Sequence, residues 1–412
     1  MKKYTLISLM LLCLILAGIL TACGKITNKT ESEEASTSIK DADPENLDDI
    51  TMDALVDEAM KQMTLEQKIG QMFIVCTDSL DFNAETEITD QMKENLNHYQ
   101  PGGVILFSFN LDNRDQTSQF ISDMKQTTEI PMFIAVDEEG GNVARIANTD
   151  GMGTTKFPTM ASIGETGDPS QAYNVGNTIG REISELGFNL DFAPVADLAT
   201  NENNTEIGER SFGSDPELVS QMVSQEVKGL QQNGVSATLK HFPGQGNAGE
   251  DTHKGYVNLD VTIDRLRDNE FLPFEEGIAA GDDLIMVSHV SVKAITQSDV
   301  PASLSSLMVN DILREELQYD NIIITDAMNM KIITKFYDSG QAAVAAIKAG
   351  NDIILMPDDF ESAYEAVREA VKDGTLSEKR INTSVRRILK VKICRGILSL
   401  NSSILEKITQ PE

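Results

Sequence analysis

The chain has 412 residues, of which 65 are acidic and 34 basic, giving a formal charge of −31; 41 % are hydrophobic, four are cysteine and none is tryptophan. It is too apolar for global disorder, too cysteine-poor for a disulfide scaffold and too acidic for general nucleic-acid binding. At roughly 100–200 residues per domain, the length allows two or three domains or one large α/β barrel.

Lys2 and Lys3 precede an apolar run from Leu6 to Leu20, followed by Thr21-Ala22-Cys23. A short basic region, an apolar region and small residues before a cut site make a secretory signal, and the run falls short of the roughly 20 residues of a transmembrane helix. A cysteine directly after the small pair resembles the lipobox of bacterial lipoproteins. That resemblance implies a signal peptide over residues 1–22, lipidation of Cys23 and an extracytoplasmic protein anchored to the cell membrane. Residues 23–53 are rich in Ser, Thr, Glu and Asp and read as an acidic, disordered tether. Cys76 ends an apolar run and Cys394 lies in an amphipathic stretch, so both read as buried free thiols.

Eight short apolar runs follow: Met72–Val75, Gly103–Phe107, Met132–Val136, Phe188–Phe192, Ser236–Leu239, Leu284–Val287, Ile322–Ile324 and Ile353–Leu355. Continuous apolarity, rather than alternation, marks strands buried on both faces. Helical patterns lie between most of them, as at Pro216–Gln232, Ile263–Ala279, Ser305–Glu316 and Gln341–Ala349. Repeated strand–helix alternation predicts a parallel sheet, either a (β/α)₈ barrel or a doubly wound open sheet. The segments after the strands favour the barrel. Asp137-Glu138-Glu139 follows the third run, Asp191 and Asp197 the fourth, Lys240-His241 the fifth, Ser288-His289 the sixth and Thr325-Asp326 the seventh. Ionisable groups at the ends of successive strands form a ring around one pocket in a barrel and a row in an open sheet.

A last helix is predicted from a capping box of Thr375 and Glu378, with Ile381, Val385, Ile388 and Leu389 as its apolar stripe. Its other face carries Lys379, Arg380, Arg386, Arg387, Lys390 and Lys392, read as a solvated face that offsets an acidic protein. Gly396 is expected to end the helix, leaving residues 401–412 as a tail.

The richest segment for chemistry runs from Lys240-His241-Phe242-Pro243-Gly244-Gln245-Gly246-Asn247 to Asp251-Thr252-His253. In extended backbone, residues two apart share a side, so Asp251 is placed to accept the proton-bearing nitrogen of His253. A carboxylate partner fixes the imidazole tautomer and suits general acid–base work near neutrality. Asp326 ends a strand where packing asks for no carboxylate, which reads as an N-cap, a nucleophile or a metal ligand. His241, His253, His289 and Asp326 are the residues that a zinc site would use, although no His-x-His or His-x-x-x-His pair is present. Lys240 offers a third option, a Schiff base. The absence of tryptophan argues against a long polysaccharide cleft and for a small pocket that binds one sugar ring.

Taken together, Val136-Asp137-Glu138-Glu139-Gly140-Gly141-Asn142-Val143-Ala144-Arg145, Arg210-Ser211-Phe212-Gly213, the Lys240–His253 segment and Thr325-Asp326-Ala327-Met328-Asn329-Met330 resemble glycoside hydrolase family 3, specifically its β-N-acetylglucosaminidase branch. The similarity covers about residues 54–396, with the motifs in order. It implies an α/β fold, a (β/α)₈ TIM-type barrel, as a single catalytic domain over residues 54–400. It also implies a retaining exo-β-N-acetylglucosaminidase acting on terminal N-acetylglucosamine of cell-wall fragments or chitin-like oligosaccharides. Asp326 takes the nucleophile's place, and His253 that of the acid/base, assisted by Asp251. Asp137, Arg145, Arg210, Lys240 and His241 fall in the sugar-binding set; no metal and no cofactor are implied. Gln245 and Asn247 depart from the family pattern, which more often has His and Asp there. A β-glucosidase, a phosphorylase in which phosphate replaces water, and a non-catalytic sugar-binding lipoprotein are the alternative readings.

Overall fold

The computed structural model describes residues 49–249 and 257–399. Cys23, Asp251 and His253 lie outside the described residues. A strand occupies part of every apolar run singled out above: β1 Phe73–Cys76, β2 Gly103–Ile105, β3 Phe133–Val136, then, after a hairpin of β4 Glu138–Gly140 and β5 Val143–Ala144, β6 Leu190–Asp191, β7 Thr238–Phe242, β8 Leu284–Val287, β9 Ile322–Thr325 and β10 Ile354–Leu355. The strands in the runs are parallel, in the orders β10-β1-β2-β3-β6 and β7-β8-β9. Parallel bridges Leu190–Ser236 and Val195–Lys240 link the first group to the second beside β6 and β7, and Ile324–Ile353 links them again beside β9 and β10. The result is an α/β fold whose strands are covered by intervening helices. Every residue of β1, β3, β8 and β9 is buried, which is why these runs show no polar alternation.

Two strands differ from their predicted extents for clear reasons. The fourth run forms only the short β6, because Pro194 follows three residues later and has no N–H to offer a ladder. The fifth extends past Leu239 through Lys240, His241 and Phe242, so these polar residues belong to the strand itself. The β4–β5 hairpin has no apolar run to announce it. Gly140 and Gly141 turn it with φ of 87° and 57°, and a Cβ on Gly141 would lie 2.8 Å from Thr159 Cα. The pattern read as one helix over Ile263–Ala279 divides into Ile263–Arg265, a π-turn over Leu266–Glu270 and Leu272–Ala279. Pro273 lacks an N–H and restarts the helix as an early residue of its last piece.

The first described helix, Asp49–Lys61, starts inside the segment expected to be tether, and its Met52 and Leu55 are buried in the core. It packs against the last helix, Glu378–Cys394, where Arg386 pairs with Asp53 and Asp57. The cap of that last helix is Ser377, which accepts from the Arg380 N–H at 3.1 Å; Thr375 instead belongs to the preceding turn, donating its N–H to Asp373. Its basic face is also only partly solvated. Arg380 donates to the carbonyls of Ile347 and Asn351, and Arg387 bonds Asp320 and the buried Asp352. Lys379 and Lys390 remain exposed. Cys76 is buried and Cys394 half-buried.

Lys392 is fully buried, donating to Gln71 Oε1 at 2.6 Å and to the Pro131 carbonyl at 2.7 Å, with its ammonium 5.1 Å from the Phe133 ring centroid. Burial lowers its pKa from 10.5 to about 7. Between those values the unfolded chain holds the proton that the folded chain has released. Lys392 therefore makes stability rise with pH across that window, by at most about 1.4 kcal/mol per pH unit. Denaturant midpoints measured from pH 7 to pH 10 should show this rise, and Lys392→Met should remove its contribution. An unchanged slope in the variant would refute the assignment.

Candidate active site

At the C-terminal ends of the parallel strands lies a cavity of about 330 Å³. Asp137, Arg145, Arg210, Lys240, His241 and Asp326, drawn from four separated segments, all line it. The structure thus brings together every described residue of the proposed site.

Local backbone geometry explains how two adjacent residues can share one wall. In a regular strand, neighbours point to opposite faces. In β7, however, Lys240 pairs with Met286 and Phe242 with Val287, an irregular register that leaves His241 as the extra residue. This bulge lets Lys240 and His241 both face the cavity. Beyond it, the glycine-rich loop lies tightly against the chain: a Cβ on Gly246 would fall 1.9 Å from the Leu198 carbonyl oxygen.

One wall is a chain of alternating charge. Arg145 is 3.7 Å from Asp137, and Lys240 Nζ is 2.7 Å from Asp137 and 2.6 Å from Glu139. Arg210 then grips Glu139 with two bonds, Nε to Oε2 at 2.8 Å and Nη2 to Oε1 at 2.7 Å. Burial would raise the Glu139 carboxyl, but Arg210 and Lys240 outweigh it and hold the group well below the usual carboxylate range. Burial likewise lowers Lys240, yet Asp137 and Glu139 lift it above its ordinary value. A lysine kept protonated in this way is an ion-pair donor, which disposes of the Schiff-base option. Arg145 Nε is buried without a hydrogen-bond partner among the described residues.

Glu138 turns the other way. Its carboxylate accepts from the N–H groups of Ile146 and Ala147 at 2.7 and 2.8 Å, and so secures the segment that carries Arg145. Burial pushes its pKa up to about 7 despite those two donors. Beside it, burial holds the Asp191 carboxyl well above its ordinary value, while Oδ1 accepts the Glu138 N–H at 2.9 Å.

Asp326 follows β9, half-buried, with Oδ1 accepting the Ala327 N–H at 2.7 Å. Burial alone would raise its pKa. His241, the Ala327 N–H and Lys240 outweigh burial, so the carboxyl lies below its ordinary value and is ionised at neutral pH. An N-cap role is not observed: the next helix, Lys331–Thr334, is preceded by Met330.

The two histidines of this region are both held, but differently. Asp197 Oδ2 accepts the His241 backbone N–H and lies 2.7 Å from Nδ1, while its Oδ1 accepts the Gln245 N–H at 2.6 Å. One carboxylate thus holds the His241 ring, its backbone and the loop that follows. His289 places Nε2 3.1 Å from the Ala327 carbonyl and Nδ1 2.7 Å from Ser303 Oγ. Nε2 must donate to the carbonyl, and Nδ1 then accepts from the hydroxyl; burial lowers the pKa and keeps this ring neutral. With both nitrogens committed, His289 orients the Ala327 peptide beside Asp326 rather than ligating a metal. Among the described residues, no group of three or more His, Cys, Asp or Glu side chains is arranged to hold a metal ion.

Glu139, Asp197 and Gln245 were not assigned roles from the sequence, although each holds a cavity residue or its loop. Glu139 stands two positions after Asp137, and that spacing was the available signal. Gln245 is buried, accepting from Ser288 Oγ at 2.7 Å and donating to Glu206 at 3.3 Å. The glutamine at this position thus bonds through both ends of its amide.

Residues 64–391 match the family model described as glycosyl hydrolase family 3 N terminal domain. The chain is 32 % identical over 373 residues to beta-hexosaminidase A of Pseudoalteromonas piscicida, covering 81 % of this chain but only 62 % of that relative's length. It is 34 % identical over 293 residues to the beta-hexosaminidase of Stenotrophomonas maltophilia, covering 69 % of this chain and 85 % of that one. Among solved structures, a glycoside hydrolase family 3 beta-N-acetylglucosaminidase from a Paenibacillus species superposes with a TM-score of 0.77 at 35 % identity, over 84 % of this chain and 68 % of the other. The motifs that line the cavity and the match across most of the chain place this protein in glycosyl hydrolase family 3.

Proposed function

We propose that the protein is a retaining exo-β-N-acetylglucosaminidase that removes terminal N-acetylglucosamine from cell-wall fragments or chitin-like oligosaccharides. The observation that carries this reading is the cavity itself, about 330 Å³, with an ionised Asp326 on one side and the chain Arg145–Asp137–Lys240–Glu139–Arg210 on the other. That volume suits one sugar ring, and the chain offers charge-assisted hydrogen bonds to its hydroxyl and amide groups. Among the described residues Arg145 Nε has no hydrogen-bond partner, which leaves this guanidinium a donor to spare.

In this reading, Asp326 attacks the anomeric carbon as the bond to the leaving oxygen breaks, and His253, partnered by Asp251, delivers a proton to that oxygen. Water then attacks the same carbon, loses a proton to His253 and releases Asp326. A histidine acid in place of the usual second carboxylate keeps negative charge away from the attacking Asp326. The catalytic domain is read as a (β/α)₈ barrel over residues 54–400, a reading that the parallel bridges beside β6–β7 and β9–β10 support. Cleavage before Cys23 and lipidation there would tether it outside the cell membrane.

Hydrolysis of a chromogenic aryl N-acetyl-β-glucosaminide, undiminished by a chelator, is the expected result of the direct test. Absence of hydrolysis would defeat the reading. His253→Ala should slow substrates with poor leaving groups by roughly 10²–10⁴-fold while slowing activated aryl substrates far less. Equal losses on both would remove His253 from the acid's role.

A further inference from the structure

Among the described residues, the large hydrophobic side chains recorded as exposed are Phe82, Phe109 and Phe336, at 81 %, 52 % and 57 %. Phe109 stands four residues beyond the C-terminal end of the parallel strand β2, as Asp326 follows the end of β9. Phe109 is also continuous with the site. Its ring is parallel to that of Phe107, with centroids 5.9 Å apart and 11° between planes, and Phe107 lines the cavity with the Arg145 guanidinium 5.8 Å from its centroid.

The loop bearing this pair is fixed from beneath. Asn110 is fully buried; its Oδ1 accepts the Phe107 N–H at 2.9 Å, and its Nδ2 donates to Thr77 Oγ1 at 3.0 Å and to the Glu85 carbonyl at 2.6 Å. A water-facing aromatic ring on a braced loop is a pre-organised contact surface rather than a stray apolar side chain.

We propose that Phe109 is a specificity residue, stacking against the sugar ring on the leaving-group side of the scissile bond. The proposal rests on the glycosidase reading above and adds the part of the substrate that lies outside the cavity. Pyranose rings present C–H groups on their faces, and these pack on an aromatic ring by dispersion. Phenylalanine thus supplies the platform for which the sequence offers no tryptophan.

The test compares kcat/KM for tri-N-acetylchitotriose with that for N-acetyl-β-glucosaminyl fluoride, whose leaving group is a single atom. In Phe109→Ala the trisaccharide-to-fluoride ratio should fall roughly fivefold, and in Phe109→Trp it should be retained. An unchanged ratio in Phe109→Ala overturns the proposal. Because the chain has no tryptophan, Phe109→Trp also installs a single fluorescent reporter. Combined with Asp326→Asn to halt turnover, its emission should change saturably on addition of the trisaccharide; an emission indifferent to the saccharide overturns the proposal. If wild-type protein cleaves neither substrate, the hydrolytic reading fails, and this titration still decides whether position 109 meets a saccharide.

Discussion

Asp326→Asn is expected to reduce kcat by at least about 10⁴-fold while leaving the fold intact. The asparagine carbonyl can still accept the Ala327 N–H, so the local hydrogen bond survives. What disappears is the anion that His241, the Ala327 N–H and Lys240 hold ionised against burial. Losses of this order accompany removal of a nucleophile whose partners remain in place. A slow fluorinated N-acetylglucosaminyl donor should label wild-type protein on the peptide containing Asp326, detected by mass spectrometry, and should leave the variant unlabelled. Label on a different residue, or turnover in the variant within a factor of ten of wild type, would remove Asp326 from the nucleophile's role.

The second large effect is expected at Glu139. Glu139→Gln cannot accept the two Arg210 bonds and the Lys240 contact together, and it leaves the buried Lys240 and the half-buried Arg210 with one fewer counter-charge. Breaking a buried pair from one side costs about 3–5 kcal/mol, because the remaining charge stays desolvated. Chemical denaturation should register that loss. The same change releases Arg210 and Lys240 from the cavity wall, so kcat/KM should fall by roughly 10²-fold. Arg210→Met should cost less stability in the Glu139→Gln background than in wild type, since part of its partner is already lost; additive costs would show that the two residues act independently. The Glu139 carboxyl lies below its unfolded value, so its contribution is present above the unfolded pKa and is lost only as pH falls through the lower folded pKa. The network should therefore support the site across the neutral range and weaken in strong acid.

These expectations differ in how far they were legible before the structure. Asp326 stood out because a carboxylate after Ile322-Ile323-Ile324 has no packing reason to be there. Glu139 did not, because in three acids in a row at Asp137-Glu138-Glu139 its two-residue spacing from Asp137 is the only sign of which face it takes. In the fold, Asp137 and Glu139 bind Lys240, while Glu138 turns to the Ile146 and Ala147 N–H groups. The β4–β5 hairpin that sorts them spans few residues and contains no hydrophobic period. The basic face of the last helix was misread for a related reason. Helical periodicity separates apolar from polar positions, but it cannot tell an arginine in water from one that caps a buried Asn351 carbonyl, nor foresee a lysine sealed against Phe133.

The sequence by itself determined the strand–helix alternation and the positions of the buried runs, since burial on both faces demands continuous apolarity. It also determined which ionisable residues stand at strand ends, and the ordered motifs pointed to the family. Tertiary structure alone decided the rest. The bulge at His241 turns two successive residues to one cavity, the alternating chain from Arg145 to Arg210 takes shape across three separated segments, and neutral His289 spends both nitrogens on Ser303 and Ala327. Each depends on distances between residues far apart in the chain, and on desolvation that only the folded surroundings impose.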